Sequence, residues 1–361
     1  MIIRKMHLTN FRNYESLSVD FDPSVNILYG SNAQGKTNLL EACYVSGTTR
    51  SHRGSRDREM IRFGEQEAHI RTEIEKQGRN HTIDLHLSVG KKKKMAIDHV
   101  PLKKASEIFG FLNIIFFSPE DLYIIKNGPS ERRRFLDAEL CQISRVYLSD
   151  LSNYNKVLNQ RNRLLKEIWD NPSVKSTLSV WDDQLVSYGK KVITSRYDFV
   201  NELSEIVRNM HHRLTGGKEN LRLSYEPNID APFFEDELLK QEEKDIRFGS
   251  TSVGPHRDDL ALFTDDIDIR KFGSQGQQRT CALSLKLSEI AIVEKKIKDK
   301  PVLLLDDVLS ELDSDRQEYL LSSISDTQTL ITCTGLDAFV KSHFDRQQIF
   351  EIENASVKVQ S

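Results

Sequence analysis

Ile2 and Ile3, then Met6 and Leu8, alternate with polar residues up to the polar stretch Asn10 to Asn13, and Leu17, Val19 and Phe21 resume the alternation. This period of two predicts an N-terminal β-meander. Val25 to Tyr29 is a short apolar run that enters a glycine loop, after which Leu39, Leu40, Cys43 and Val45 recur at helical spacing as far as Gly47. The prediction there is strand, loop, helix. Ile70, Ile74, Ile83, Leu85, Leu87 and Val89 alternate again across residues 68 to 100, with a turn at Gly90 followed by Lys91, Lys92, Lys93 and Lys94. More antiparallel sheet is expected.

The pattern changes after the apolar stretch Phe111 to Phe117, where Ser118-Pro119-Glu120-Asp121 opens a turn or helix start. Leu136, Leu140, Ile143, Tyr147, Leu151, Tyr154 and Leu158 recur at steps of three and four until Asn171-Pro172, and a second series runs from Trp181 through Val192 and Leu203 to Leu214 before Gly216-Gly217. Two long antiparallel helices are predicted, as an arm that protrudes from or wraps along a head domain, or as a helical domain packed for stability. A forty-residue helix reaches ~60 Å. Residues 226 to 245 carry eight acidic side chains against two lysines and read as an exposed connector or insertion. Beyond them come a helical run from Thr280 to Lys298, a strand Val302 to Leu305, a helix after Ser310 and a strand Thr329 to Thr332. The expected division is an N-terminal lobe at 1–120, a helical arm at 121–240 and a C-terminal lobe at 241–361, the two lobes forming one split α/β head.

A length of 361 residues allows about two and a half domains and excludes a disulfide-stapled scaffold. Its 51 basic and 54 acidic residues give a net charge of −3, so any nucleic-acid contact has to come from local basic patches. No apolar run approaches the ~20 residues of a membrane helix, and Met1-Ile2-Ile3-Arg4-Lys5 lacks the apolar region of a secretory signal. A cytoplasmic protein without membrane partners is expected. Cys43, Cys141, Cys281 and Cys333 are widely spaced and sit beside apolar residues, as buried thiols in a reducing compartment do.

Gly30-Ser31-Asn32-Ala33-Gln34-Gly35-Lys36-Thr37 spells the phosphate-binding loop G-x-x-x-x-G-K-[ST], in the strand-to-helix context it requires. Its glycines let backbone N–H groups surround phosphate oxygens, Lys36 reaches the β and γ phosphates, and Thr37 offers a hydroxyl to Mg²⁺. Val302 to Asp307 reads as a buried parallel strand that delivers two carboxylates to the edge of a sheet beside those phosphates. Asp306 is then the partner of Thr37 at the metal, and Asp307 orients or deprotonates the attacking water. Phe272-Gly273-Ser274-Gln275-Gly276-Gln277-Gln278-Arg279 precedes a helical run and makes a second anion-binding helix start. One phosphate group does not need two such loops.

Ser274, Gln275, Gly276 and Gln277, about thirty residues before an apolar strand ending in Asp306, are similar to the signature motif of ABC-type ATPase heads. That resemblance implies a signature closing over nucleotide held by the P-loop of a second subunit, a D-loop at Ser310 to Asp313 with Asp313 as its aspartate, and an Arg12 that approaches the nucleotide with Asn38. Read alone, Ser310 or Asp313 is a helix N-cap. Asp307 stands where many such ATPases carry Glu, which points to slow hydrolysis. The head's usual switch histidine is replaced by Thr332-Cys333-Thr334, so Thr332 or Thr334 is a candidate for the γ-phosphate, and Ser118 to Leu122 lacks the Q-loop glutamine. Asn10-Phe11-Arg12-Asn13-Tyr14, Asn38 to Ala42, Phe117 to Leu122, Arg132 to Asp137 and Gly254-Pro255-His256-Arg257-Asp258-Asp259 resemble bacterial RecF from residue 1 to about 350. The resemblance implies an ABC/SMC-type ATPase head with mixed sheets, a P-loop core and an inserted, mostly helical arm. It also implies an ATP- and Mg²⁺-dependent homodimer that binds single-stranded, gapped or junction DNA and works with RecO and RecR to load RecA.

Arg50, Arg53, Arg56 and Arg58 against Asp57 give residues 50 to 58 a charge of +3, and Lys91 to Lys94 form a basic hairpin tip. Both are DNA-phosphate candidates. The arginines also suit an interface or a nucleotide contact, and the lysines a solvated turn. Arg132 to Arg134 begin the arm helix, where cations oppose the helix dipole and call for a partner. His256 with Asp258 and Asp259 is poor triad geometry, because neighbours on an extended chain point to opposite faces. The competing readings are a nucleotide-binding scaffold without turnover, a transporter ATPase subunit and, more remotely, a P-loop kinase.

Overall fold

Val25–Tyr29, Ile114–Phe117, Val302–Asp306 and Thr329–Cys333 are almost wholly apolar, and the chain lays them side by side as parallel strands buried on both faces. The computed structural model describes residues 1–324, 326–335 and 347–360. Two compact units are present: Met1–Asp121 with Glu289–Ser361, and Leu122–Ser288. No helix among the described residues is long and apolar enough to cross a membrane.

In the first unit the central sheet runs in the order Ser356–Gln360, Gln347–Glu353, Val25–Tyr29, Thr329–Cys333, Val302–Asp306, Ile114–Phe117. Only the edge strand Ser356–Gln360 is antiparallel. A second, antiparallel sheet has the order Tyr14–Asp20, Ile2–Phe11, Glu67–Lys76, Arg79–Ser88, Lys94–Ile97, Val100–Pro101. Ile3 and Met6 both point inward despite their odd spacing because the register with Glu67–Lys76 shifts between Ile3 and Lys5. Both sheets pack on the helix Lys36–Thr48, whose Leu39, Leu40, Ala42 and Cys43 are fully buried in the shared core.

The second unit holds the helices Pro129–Ile143, Arg145–Asp170 and Leu178–Leu214, with a three-stranded sheet ordered Ile267–Asp268, Asp259–Thr264, Leu221–Glu226. The apolar series starting at Leu136 predicts one helix, but the chain breaks at Ser144, whose hydroxyl caps the next helix by accepting from Tyr147 N at 3.1 Å. The Leu178–Leu214 helix has 37 residues and is ~55 Å long. Residues 241–288, grouped by sequence with the C-terminal lobe, cluster with the helical unit instead. Asp259–Thr264 pairs with Leu221–Glu226, which ties them there.

Residues 226–245 are largely exposed, but they are folded rather than a connector. They fold into the helix Phe234–Lys240 and part of Glu242–Phe248. Phe234 is buried in a notch left by Gly189 and Gly254, where a Cβ would lie 2.4 and 2.9 Å from its ring. Asp245 is buried on Arg161, which also bonds Asp182 and Thr251. The Gly254 to Asp259 motif anchors the unit. Arg196 joins Asp258, Asp137, the Tyr147 hydroxyl and Pro255 O. Arg132 finds the partner its helix position requires in Asp259, at 2.5 and 3.0 Å. Arg133 donates to Asp258 O at 2.7 Å.

His256 plays a structural part. It lies 2.6 Å from the Tyr154 hydroxyl through Nδ1 and 3.0 Å from Thr251 O through Nε2. A carbonyl only accepts, so Nε2 carries the proton and Nδ1 accepts from the tyrosine. Burial is the main force that depresses its pKa, from 6.5 to about 4. The unfolded chain therefore takes up a proton that the folded chain resists, so this contribution to stability is lost as pH falls from about 6.5 towards about 4. Urea unfolding across that range should show a shallower loss of stability in His256→Asn than in the wild type; identical slopes would refute the assignment.

Candidate nucleotide site

The strand Val25–Tyr29 ends at Gly30, where φ is +152° and an added Cβ would lie 2.3 Å from Ile352 O. No residue with a side chain fits there. Ala33 at φ 64° and Gly35 at φ 122° continue a loop of turned-in amides that ends at the helix Lys36–Thr48. Lys36 curls back over this loop, its Nζ donating to Gly30 O at 2.6 Å and Ser31 O at 3.0 Å. Gln34 is held from the other side, because Asn354 N donates to its Oε1 at 2.6 Å and Ala355 N to its O at 3.1 Å. Ser31, Asn32 and Ala33 remain exposed.

Thr37 and Asp306, far apart in sequence, meet: Thr37 Oγ1 donates to Asp306 Oδ1 at 2.8 Å. Thr332 Oγ1 donates to the same oxygen at 2.8 Å and accepts from Asp307 N at 2.9 Å. Burial lifts the Asp306 pKa above the usual carboxylate range, against the opposing pull of Thr332 and Thr37. Asp307 has left-handed backbone, φ 53°, at the turn out of the strand. Thr332 is thus committed to the aspartate pair rather than free for a phosphate, while Thr334 is exposed beyond the strand. Thr37 and Asp306 fit Mg²⁺, a hard cation that takes one or two protein oxygens and completes its shell with phosphate and water. No cluster of three His, Cys, Asp or Glu among the described residues offers an all-protein cage.

Around the loop, Asn38 Nδ2 donates to Asn13 Oδ1 at 2.8 Å, Asn13 Nδ2 to Gln34 O at 3.2 Å, and the Tyr14 hydroxyl to Gly35 O at 3.1 Å. Arg12 turns to Glu41 on the P-loop helix, bonding it at 2.7 Å through both Nε and Nη2. Its other donors go to Glu59 O at 2.6 Å and Ser55 Oγ at 2.8 Å. Burial pushes Glu41 up, yet its bonds from Arg12 and Ser51 outweigh that and its pKa lies below normal. Arg12 is a buttress of the P-loop helix.

The basic candidates separate. Arg50, Arg53 and Arg56 are exposed, and Arg53 Nη1 reaches Asn38 Oδ1 at 3.4 Å, near enough for its charge to act on Asp306. Arg53 therefore belongs to the surroundings of the P-loop. Lys91, Lys92 and Lys94 are exposed. Lys93 is not an equivalent fourth: its ammonium is held by Thr49 O at 2.5 Å and Asp57 Oδ1 at 2.9 Å.

In the second unit, Ser274, Gln275 and Gly276 are exposed at the start of the helix Gln275–Ile297. Ser274 and Gln277 form a reciprocal cap: Gln277 N donates to Ser274 Oγ at 3.2 Å and Ser274 N to Gln277 Oε1 at 3.0 Å. Asp313 caps Ser314–Ser323, accepting from Arg316 N at 3.0 Å. Cys43, Cys141 and Cys281 are buried and Cys333 partly so, all as free thiols.

A P-loop beside a strand-end aspartate in a mixed sheet, with a serine-capped helix start in a helical insert, defines an ABC/SMC-type ATPase head. The family described as the RecF/RecN/SMC N terminal domain matches residues 2–357. The DNA replication and repair protein RecF of Agathobacter rectalis is 62% identical over 359 residues, covering 99% of each chain. That of Lachnospira eligens is 54% identical, again over 99% of each. A solved structure of the recombination mediator protein RecF-ATP in the RecFOR pathway superposes with a TM-score of 0.93 at 35% identity, covering 100% of this chain and 98% of that one. An Smc head bound to the C-winged helix domain of ScpA shares the fold, with a TM-score of 0.58 at 15% identity over 100% of this chain and 97% of that one. The chain belongs to the RecF family of DNA replication and repair proteins.

Thr332→Val keeps the side chain's shape but strips Asp306 of a donor and leaves Asp307 N–H without its acceptor. The expected cost is about 1–3 kcal/mol of unfolding free energy in urea. A variant as stable as the wild type would show that the threonine is dispensable to the aspartate pair.

Proposed function

We propose that the protein is an ATP-dependent DNA clamp of recombinational repair, whose two copies close on DNA when ATP is bound and part when it is slowly hydrolysed. The observation that carries this reading is the meeting of Thr37, Asp306 and Thr332 on one carboxylate oxygen beside the Lys36 loop. That arrangement suits the phosphates of a nucleoside triphosphate. Loop amides from Ser31 to Thr37 and the Lys36 ammonium bind the phosphates, and Asn38 and Arg53 flank them. When bound between Thr37 and Asp306, Mg²⁺ supplies charge neutralisation on the phosphate oxygens. Asp307 orients the attacking water and takes its proton as the new bond to the γ-phosphorus forms and the bond to the bridging oxygen breaks.

A second copy supplies Ser274 and Gly276 to the γ-phosphate, with Asp313 lying along the interface. Binding energy that exists only in the paired state then makes ATP the switch. Single-stranded, gapped or junction DNA is the proposed substrate surface, with Arg50, Arg56, Lys91, Lys92 and Lys94 as phosphate contacts. RecO and RecR are the proposed partners in loading RecA, a reading supported by the RecFOR setting of the solved relative. A scaffold that binds nucleotide without turnover is the second reading, favoured by the short Asp307 side chain at the water position.

Sedimentation with ATP, Mg²⁺ and a gapped duplex should show a dimer for the wild type and a monomer for Ser274→Arg; monomers throughout would defeat the clamp. Asp307→Asn should lower steady-state hydrolysis about 10²-fold while still forming the ATP-dependent dimer. If the wild type turns over no faster than Asp307→Asn, the scaffold reading replaces the ATPase.

A further inference from the structure

The start of the helix Gln275–Ile297 is held by more than its own cap. Gln277 donates from Nε2 to Glu219 Oε1 at 3.1 Å, while its Oε1 accepts from Ser274 N. The other Glu219 oxygen lies 3.2 Å from His211 Nε2, and His211 Nδ1 lies 2.9 Å from Ser284 Oγ. His211 is fully buried in the last turn of the helix Leu178–Leu214. Glu219 itself is only partly exposed.

A carboxylate accepts hydrogen bonds and cannot donate them. Glu219 therefore dictates the orientation of the Gln277 amide, with NH₂ towards residue 219 and the carbonyl towards Ser274. The flipped amide would set oxygen against oxygen at Glu219 and NH₂ against N–H at Ser274, losing both bonds. The orientation Glu219 selects thus pins the Ser274 backbone through its N–H, while Ser274 Oγ accepts from the backbone N of Gln277 and keeps its own proton to donate.

We propose that Glu219 is a positioning residue for the composite nucleotide site: by fixing Gln277 it holds the Ser274 hydroxyl ready to donate to the phosphate of a nucleotide bound by a second copy. The inference rests on the reading that Ser274 acts across a dimer. His211 keeps Glu219 in place from the long helix, so the readiness of the signature serine is set by residues more than fifty positions earlier in the chain.

Four variants decide it. Glu219→Ala, Glu219→Asp (one methylene too short for Gln277), Glu219→Gln and Ser274→Arg are compared in thermal unfolding, in ATP binding below the self-association concentration, and in ATP-driven dimerisation by sedimentation. The expected result, read below the unfolding transition of each variant, is wild-type ATP binding for every Glu219 variant, dimerisation about tenfold weaker in the Ala and Asp forms, and near-normal dimerisation in the Gln form, whose amide oxygen still accepts from Gln277. Full dimerisation of Glu219→Ala and Glu219→Asp, with Ser274→Arg monomeric, would overturn the positioning role and leave the composite site intact. Normal dimerisation of Ser274→Arg would instead remove the composite site. A fall in ATP binding that matched the loss of dimerisation would reduce Glu219 to a structural residue and overturn the proposal as well.

Discussion

A carboxylate half-buried at the end of a parallel strand is costly unless donors meet it, and at Asp306 two threonine hydroxyls do so on one oxygen. The strand order makes this possible. Thr329–Cys333 lies between Val25–Tyr29 and Val302–Asp306, and its register sets Thr332 beside Asp306 on one flank and Leu28 on the other. Thr37, 269 residues before Asp306, and Thr332, 26 residues after it, are thereby brought to one atom. The same threonine accepts from Asp307 N, so the backbone that carries the second aspartate is positioned by the first one's partner. Anything that moved Thr329–Cys333 would loosen both acids and the P-loop threonine together.

The helical unit depends on buried charge in a different way. Arg161 and Arg196 are almost completely enclosed, and each is answered by two aspartates. An apolar core of equal volume would hold such helices together at least as well. What the ion pairs add is direction: a guanidinium bonds only where its fork meets a carboxylate. Asp258 and Asp259 are adjacent, yet one faces Arg196 and the other faces Arg132 and Arg270. Arg270 in turn grips Asp268, whose side chain caps the short turn leading into Gly273 and Ser274. A chain of charge pairs thus runs from the long helix through Asp258, Asp259, Arg270 and Asp268 to the turn before Ser274.

What the sequence made legible was local. The P-loop, the strand that precedes it, the helix that follows and the acidic end of Val302–Asp306 are each written in contiguous residues, and each stands where its spacing predicts. Ser274 to Gln277 likewise reads correctly as a helix start. The remainder depends on pairings between distant residues. Glu41 as the counter-ion of Arg12, Thr332 as a lock, and Lys93 held by Asp57 leave no periodic trace. The break at Ser144 is hidden because the apolar spacing runs on through a capping serine. Residues 226–245 look like a solvated connector because composition records their charge but not the notch at Gly189 and Gly254 that receives Phe234.

Ser274 also shows why a bland and a functional interpretation of one motif need not compete. A serine followed three residues later by glutamine is an ordinary helix cap, and here it makes both bonds of that cap. The cap takes up the N–H groups of Ser274 and Gln277 but not those of Gln275 and Gly276, which are first-turn donors without an intrahelical partner. A Cβ at Gly276 would find nothing nearer than Ser274 Oγ at 4.0 Å, so the packing of the helix start does not require a glycine there. A side chain at 276 would cost the cap nothing. Capping thus leaves two first-turn N–H groups, those of Gln275 and Gly276, for the nucleotide contact proposed above, so the cap and that contact draw on different backbone donors of one helix start.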